Sequence, residues 1–220
     1  LPVLLPILGA ALAVVVGTSV TAQRVIALVT LGAVAAVAGV LLVTADRSGP
    51  VVTALGGWAP PVGIALVADR LSALLLLVST LVALAVLVYA ISQRIADFGR
   101  RMASSTFYPM YLVLSAGVSL AYLSGDLFTL FVSFEIMLTA SYVLITRRTT
   151  TQTIRAGMTY VTVSLLSSLL FLTAVGMVYA ATATVNLADL SVRVQTLSPG
   201  LRTVLALMLV VVFGIKAAMV

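Results

Sequence analysis

"GDLFTLFVSFEIMLTASYVLI", residues 125–145, is an apolar run with an acid, Glu135, near its centre. About 20 such residues in a helix cross the ~30 Å hydrocarbon core of a bilayer. A charge at that depth costs ~2.5–3.5 kcal/mol on insertion scales, so it faces protein or water and is usually paired. The rest of the chain is therefore read for a partner.

Of the 220 residues, 62% are hydrophobic and 8% charged, with a mean hydropathy of +1.27. Globular domains carry roughly 25% charged residues. This is the composition of an all-α polytopic membrane protein. Without Cys or His, the chain has no disulfide, no His-based metal site and no Cys or His catalysis, and no cofactor is expected. The formal charge of +6 comes from basic residues scattered between spans, which set orientation and do not form a nucleic-acid patch.

Hydropathy predicts seven spans, at 2–19, 25–44, 71–92, 107–124, 127–145, 156–181 and 202–220. The first lacks a basic n-region and reads as a retained span, not a signal peptide. No loop is long enough for a soluble domain, so 1–220 reads as one transmembrane domain. "VVTALGGWAPPVGIALV" (51–67) is apolar enough to span, but Gly56, Gly57, Pro60 and Pro61 oppose a helix and fit a short β-hairpin at the membrane surface. Loop charges agree. With the hairpin not crossing, Arg24, Arg94, Arg100, Arg101, Arg147, Arg148 and Arg155 share one side, and Arg47, Arg70, Arg193 and Arg202 the other. The positive-inside rule then places the N-terminus and the hairpin outside the cytoplasm. "SQRIADFGRRMASSTF" (92–107) reads as a cytoplasmic interfacial segment.

Only Glu135 and Lys216 lie well inside spans. Glu135 follows Asp126 by nine residues and Lys216 follows Arg202 by 14, giving depths of about 13–14 Å and 21 Å. Lys is a poor pure staple, because its ammonium releases a proton on burial more readily than Arg does. Burial favours the neutral amine and a nearby carboxylate favours the ammonium. At an assumed ~7 Å and an effective dielectric of ~20, that attraction is about 2.4 kcal/mol. Changing the separation would thus change how tightly the amine holds its proton, which is the basis of a proton relay. The alternative is an ion pair that only fixes helix packing.

Thr139 and Tyr142 follow Glu135 by four and seven residues, on its helical face. Tyr160, Ser164, Ser167 and Ser168 form a polar stripe on span six. Taken singly, such hydroxyls bond their own backbone or allow close helix packing. Together they are candidates for a hydrated path between the two charges. Asp126 and Asp69 read as helix N-terminal residues, and the Met and Phe residues of the spans as packing. A single membrane-centre carboxylate is too little for a sodium site, and no metal site is expected.

These residues resemble a known family. "GDLFTLFVSFEIMLTASYVLI" (125–145), "YVTVSLLSSLLFLTAVGMVYAATATVNLADLSVRV" (160–194) and "VFGIKAAMV" (212–220) are similar to the D-type membrane component of the multisubunit Mrp-type cation/proton antiporters. The resemblance runs from "GGWAPPVGIALVADRLSALLLLV" (56–78) to the last residue. It extends to the antiporter-like subunits of respiratory NADH–quinone oxidoreductase and membrane-bound hydrogenases. "GDLF", "FEIML" and "ASYVLI" suit the D-type component, and the larger A-type component shares the fold. The resemblance implies a fold of about fourteen helices with two inverted five-helix bundles, each forming half a channel, of which this sequence holds the N-terminal part. It also implies that Glu135 tunes the affinity of its partner and that Lys216 carries protons on a discontinuous helix.

The implied function is proton translocation within a bacterial plasma-membrane complex that exchanges Na+ or K+ for protons, beside other membrane subunits. The alternative is a proton-pumping subunit of a redox-driven complex. In either case the chain reads as a transporter subunit and not as an enzyme in itself.

Overall fold

The computed structural model describes residues 1–17, 19–58, 63–93, 104–147 and 151–217. The long helices are α2 (Val20–Ser48), α3 (Arg70–Ser92), α4 (Ser104–Leu123), α5 (Leu127–Ile145), α6 (Thr151–Thr182) and α8 (Pro199–Lys216). Each of these six is long and apolar enough to cross a membrane. α1 (Leu4–Val15) has 12 residues and α7 (Leu187–Arg193) has seven.

The span boundaries need correction. The first helix ends at Val15, four residues before the expected limit, where the chain turns through Gly17 at φ +66°. The second and sixth helices extend past their hydropathic cores, because polar residues continue a helix once its backbone bonds are running. α7 was not expected. Asn186 starts it by accepting the Ala188 and Asp189 backbone N–H groups.

The hairpin is present. β1 (Val51–Ala54) pairs antiparallel with β2 (Ala65–Ala68) in the register Val51↔Ala68 to Ala54↔Ala65. A 3-10 turn at Leu55–Gly57 leads out of β1, with Gly56 and Gly57 at φ +70° and +75°, angles that glycine adopts without steric cost. Pro60 and Pro61 lie outside the described residues, as do Arg94, Arg100, Arg101 and Arg148 and most of the expected interfacial segment. Leu66 bridges Ser124, and Gly125 N–H donates to Ala65 O at 2.9 Å, which fastens the hairpin to the α4–α5 junction. The same junction pairs Asp126 with Asn186, so the hairpin, the start of α5 and the end of α6 form one end of the molecule. Arg24 and Arg147 lie at the opposite end. Arg24 Nε donates to the Tyr108 hydroxyl at 3.0 Å, and the Arg147 guanidinium sits 4.9 Å from the Phe107 ring centre.

Packing divides the molecule into two regions. α1 to α4 share a core around Ala27, Leu31, Leu87, Tyr108 and Leu112. α5, α6 and α8 share another around Phe171, Val175, Leu205 and Val212. α5 joins the two, packing against α4 on one side and α6 on the other.

Candidate functional site

Glu135 is the ninth residue of α5, at the middle of the helix. Lys216 is the last residue of α8. The two meet: Lys216 Nζ lies 3.8 Å from Glu135 Oε1, closer than the ~7 Å assumed from the sequence. Ser168 of α6 lies between them. Its Oγ accepts from Lys216 Nζ at 2.7 Å and donates to Glu135 Oε1. Ser168 is buried, and the side chains of Lys216 and Glu135 are 10% and 32% exposed. Lys216 Nζ also sits 5.6 Å from the Phe134 ring centre, where the ring face favours a cation.

Phe residues fix the heights of the three helices. Phe171 follows Ser168 by three residues, and Phe213 precedes Lys216 by three. Because α6 runs toward the hairpin end and α8 runs away from it, both rings lie about one turn from the pair on its hairpin side. Phe171 is fully buried and meets Phe213, Phe131 and Phe134 at centroid distances of 5.2, 5.9 and 6.0 Å, all edge-to-face. Phe171 is the buried centre of this aromatic cluster, and Phe131, Phe134 and Phe213 pack around it while staying partly exposed.

On the other side of the pair a cleft of about 420 Å³ opens between α5 and α6. Lys216, Ser141, Thr159, Tyr160, Ser164 and Ser167 supply its polar lining. Ser141 Oγ and Tyr160 OH are hydrogen-bonded at 2.7 Å. Ser167 Oγ is buried with no protein partner, which makes it a place for bound water. Pair and cleft together form a polar track among apolar helices, with the ring cluster on its hairpin side.

Of the span-six stripe, Tyr160, Ser164 and Ser167 line the cleft, and Ser168 lies between the two charges. Thr139 does not join it. It is exposed and its hydroxyl donates to the Glu135 backbone oxygen at 3.0 Å, as a helical Thr does by default. Tyr142 lies farther along α5, against α6 at Gly157, and is outside the cleft lining. Sequence reasoning missed Ser141 and Phe134. Their signal was a stripe at Phe134, Met137, Leu138 and Ser141, one position off the face counted from Glu135. Asp126 caps α5 as expected, accepting from Thr129 N at 2.6 Å and Thr129 Oγ1 at 2.7 Å. Among the described residues no group of acidic side chains is arranged to hold a metal ion.

The region that builds this site, residues 124–220, matches the family model described as "NADH:quinone oxidoreductase/Mrp antiporter, TM". The whole chain is also similar to the D component of the Na(+)/H(+) antiporter of Bacillus subtilis, 36% identical over 98% of the chain and 43% of the relative. Over residues 124–220 the chain matches the NADH:quinone oxidoreductase/Mrp antiporter family. Another relative, the D component of a probable K(+)/H(+) antiporter of Rhizobium meliloti, is 40% identical over 80% of the chain and 32% of the relative. Among solved structures, the Mrp complex from Dietzia sp. DQ12-45-1b superimposes with a TM-score of 0.86 and 30% identity, over 99% of this chain and 40% of that one. The chain spans less than half the length of the curated relatives it matches. It is a multi-pass membrane protein.

Proposed function

We propose that the chain is part of a proton-translocating membrane subunit of a multisubunit monovalent-cation/proton antiporter, with Glu135 and Lys216 as its proton relay. The observation that carries this reading is the part-buried Lys216–Glu135 pair, joined through Ser168, with a polar cleft on one side and a cluster of Phe rings on the other. The cleft gives Lys216 a polar approach and the ring cluster offers no polar side chain, which supports reading the arrangement as half of a transmembrane path. The rest of the path belongs to other helices of the full subunit, and the cation route to that subunit or to neighbouring membrane subunits. The relatives' names point to Na+ or K+ as the exchanged ion. The proposed location is the bacterial plasma membrane, with the N-terminus and the hairpin outside the cytoplasm and the cleft opening toward it.

Lys216→Ala and Glu135→Ala test this in the complete complex, in everted membrane vesicles where added cation collapses a preformed proton gradient. Both should assemble and lose most antiport. Normal antiport by assembled Lys216→Ala would refute the relay. The family description also covers quinone oxidoreductases, which favours a second reading: the same relay driven by remote redox chemistry. Partner subunits carrying flavin or Fe–S motifs would select it.

A further inference from the structure

Resting on the relay reading, we infer that the Ser168 hydroxyl carries the proton between Lys216 and Glu135, so that the two exchange protons through it and not directly. Direct exchange is opposed by distance: Nζ and Oε1 are 3.8 Å apart, beyond the ~2.7–2.9 Å of an ammonium–carboxylate hydrogen bond. Both legs through Ser168 are within range and oriented the same way, with Lys216 donating to the hydroxyl and the hydroxyl donating to Glu135.

The step balances without another reactant. An N–H bond of the Lys216 ammonium breaks as an O–H bond forms at Ser168 Oγ. The original Ser168 O–H breaks as its proton bonds to Glu135 Oε1. An ammonium and a carboxylate become an amine and a carboxylic acid, and Ser168 remains a neutral hydroxyl. Its remaining O–H now points at Lys216 in place of Glu135. A second proton cannot follow until Glu135 has passed its own onward, water in the cleft has recharged Lys216, and the hydroxyl has rotated about Cβ–Oγ. Ser168 is therefore a one-proton-at-a-time element.

Lys216 lines the cleft and Glu135, the more exposed of the two side chains, does not, so the cleft serves the amine and the carboxyl is open elsewhere. Successive residues of a helix point about 100° apart. On α6, Ser167 therefore faces the cleft while Ser168 faces the pair. The two adjacent serines have separate tasks.

Ser168→Ala, Ser168→Thr and Ser168→Cys in the complete complex provide the test, with vesicle antiport normalised to assembled complex. The Ala variant should be slower by about tenfold or more with an unchanged cation half-saturation, and Thr, which keeps the hydroxyl, should restore most of the rate. Assembled Ser168→Ala working at the normal rate overturns the inference, as does a Thr variant as slow as Ala, since that pattern reports packing. If Ala does not assemble, Cys decides: similar in size and a poorer donor, it should be slow, and a normal rate overturns the inference. Lys216→Ala is measured alongside. If it is inactive while Ser168→Ala is normal, only the bridging role falls; if both are normal, the relay itself falls.

Discussion

Gly125 and Ala65 are in backbone contact: the Gly125 N–H donates to the Ala65 carbonyl oxygen at 2.9 Å, and a Cβ on Gly125 would lie 2.6 Å from that oxygen. The oxygen belongs to a paired strand and cannot swing aside as the end of a side chain can. Gly125→Ala is therefore expected to push the hairpin off the start of α5 and to destabilise the chain by about 1–3 kcal/mol. Thermal unfolding of the purified protein in detergent reads this. An unchanged midpoint would mean that the hairpin is not held through this contact.

Lys216→Arg separates a relay from a staple. Arg keeps the positive charge beside Glu135 and offers donors to Ser168, but it does not give up a proton. Assembly should be near normal while antiport falls by at least about tenfold. A staple would accept Arg, so normal antiport by this variant would favour the structural role.

Asp69 caps α3 outside the apolar span. Ser72 N–H donates to Asp69 Oδ1 at 2.7 Å, and Asp69 N–H donates to Ser72 Oγ at 2.9 Å. The Ser72 backbone donor, followed by its hydroxyl, holds the carboxyl below its ordinary value of 3.8. A carboxylate depressed in the folded state adds stability above its unfolded value, and that stability is lost as pH falls through the folded value. Asp69→Ala should thus cost about 1 kcal/mol near neutral pH, with the difference from wild type shrinking as pH falls below the ordinary value. Unfolding midpoints of both proteins across that range check it. A difference that stays constant with pH would show that the charged form of Asp69 contributes nothing.

The sequence by itself determined the six long apolar helices, the hairpin and the two charges that lie inside apolar runs. Hydropathy is additive along a chain, so the six long helices are visible as apolar runs, and Gly56 and Gly57 interrupt the one run that folds back. A charge inside such a run is conspicuous for the same reason, which is why Glu135 and Lys216 could be picked out. The stripe from Tyr160 to Ser168 was legible because helical periodicity puts its members near one face.

The tertiary structure alone decided which hydroxyls reach the charges. Thr139 and Tyr142 have the right spacing from Glu135 and still miss the cleft, whereas Ser141 lines it from one face over. That choice depends on how α5 is rotated against α6, and Ser168 reaches Lys216 only because the heights of α6 and α8 match. Rotation and height are set by the packing of Phe131, Phe134, Phe171 and Phe213, contacts between residues far apart in sequence whose energy has no one-dimensional signature.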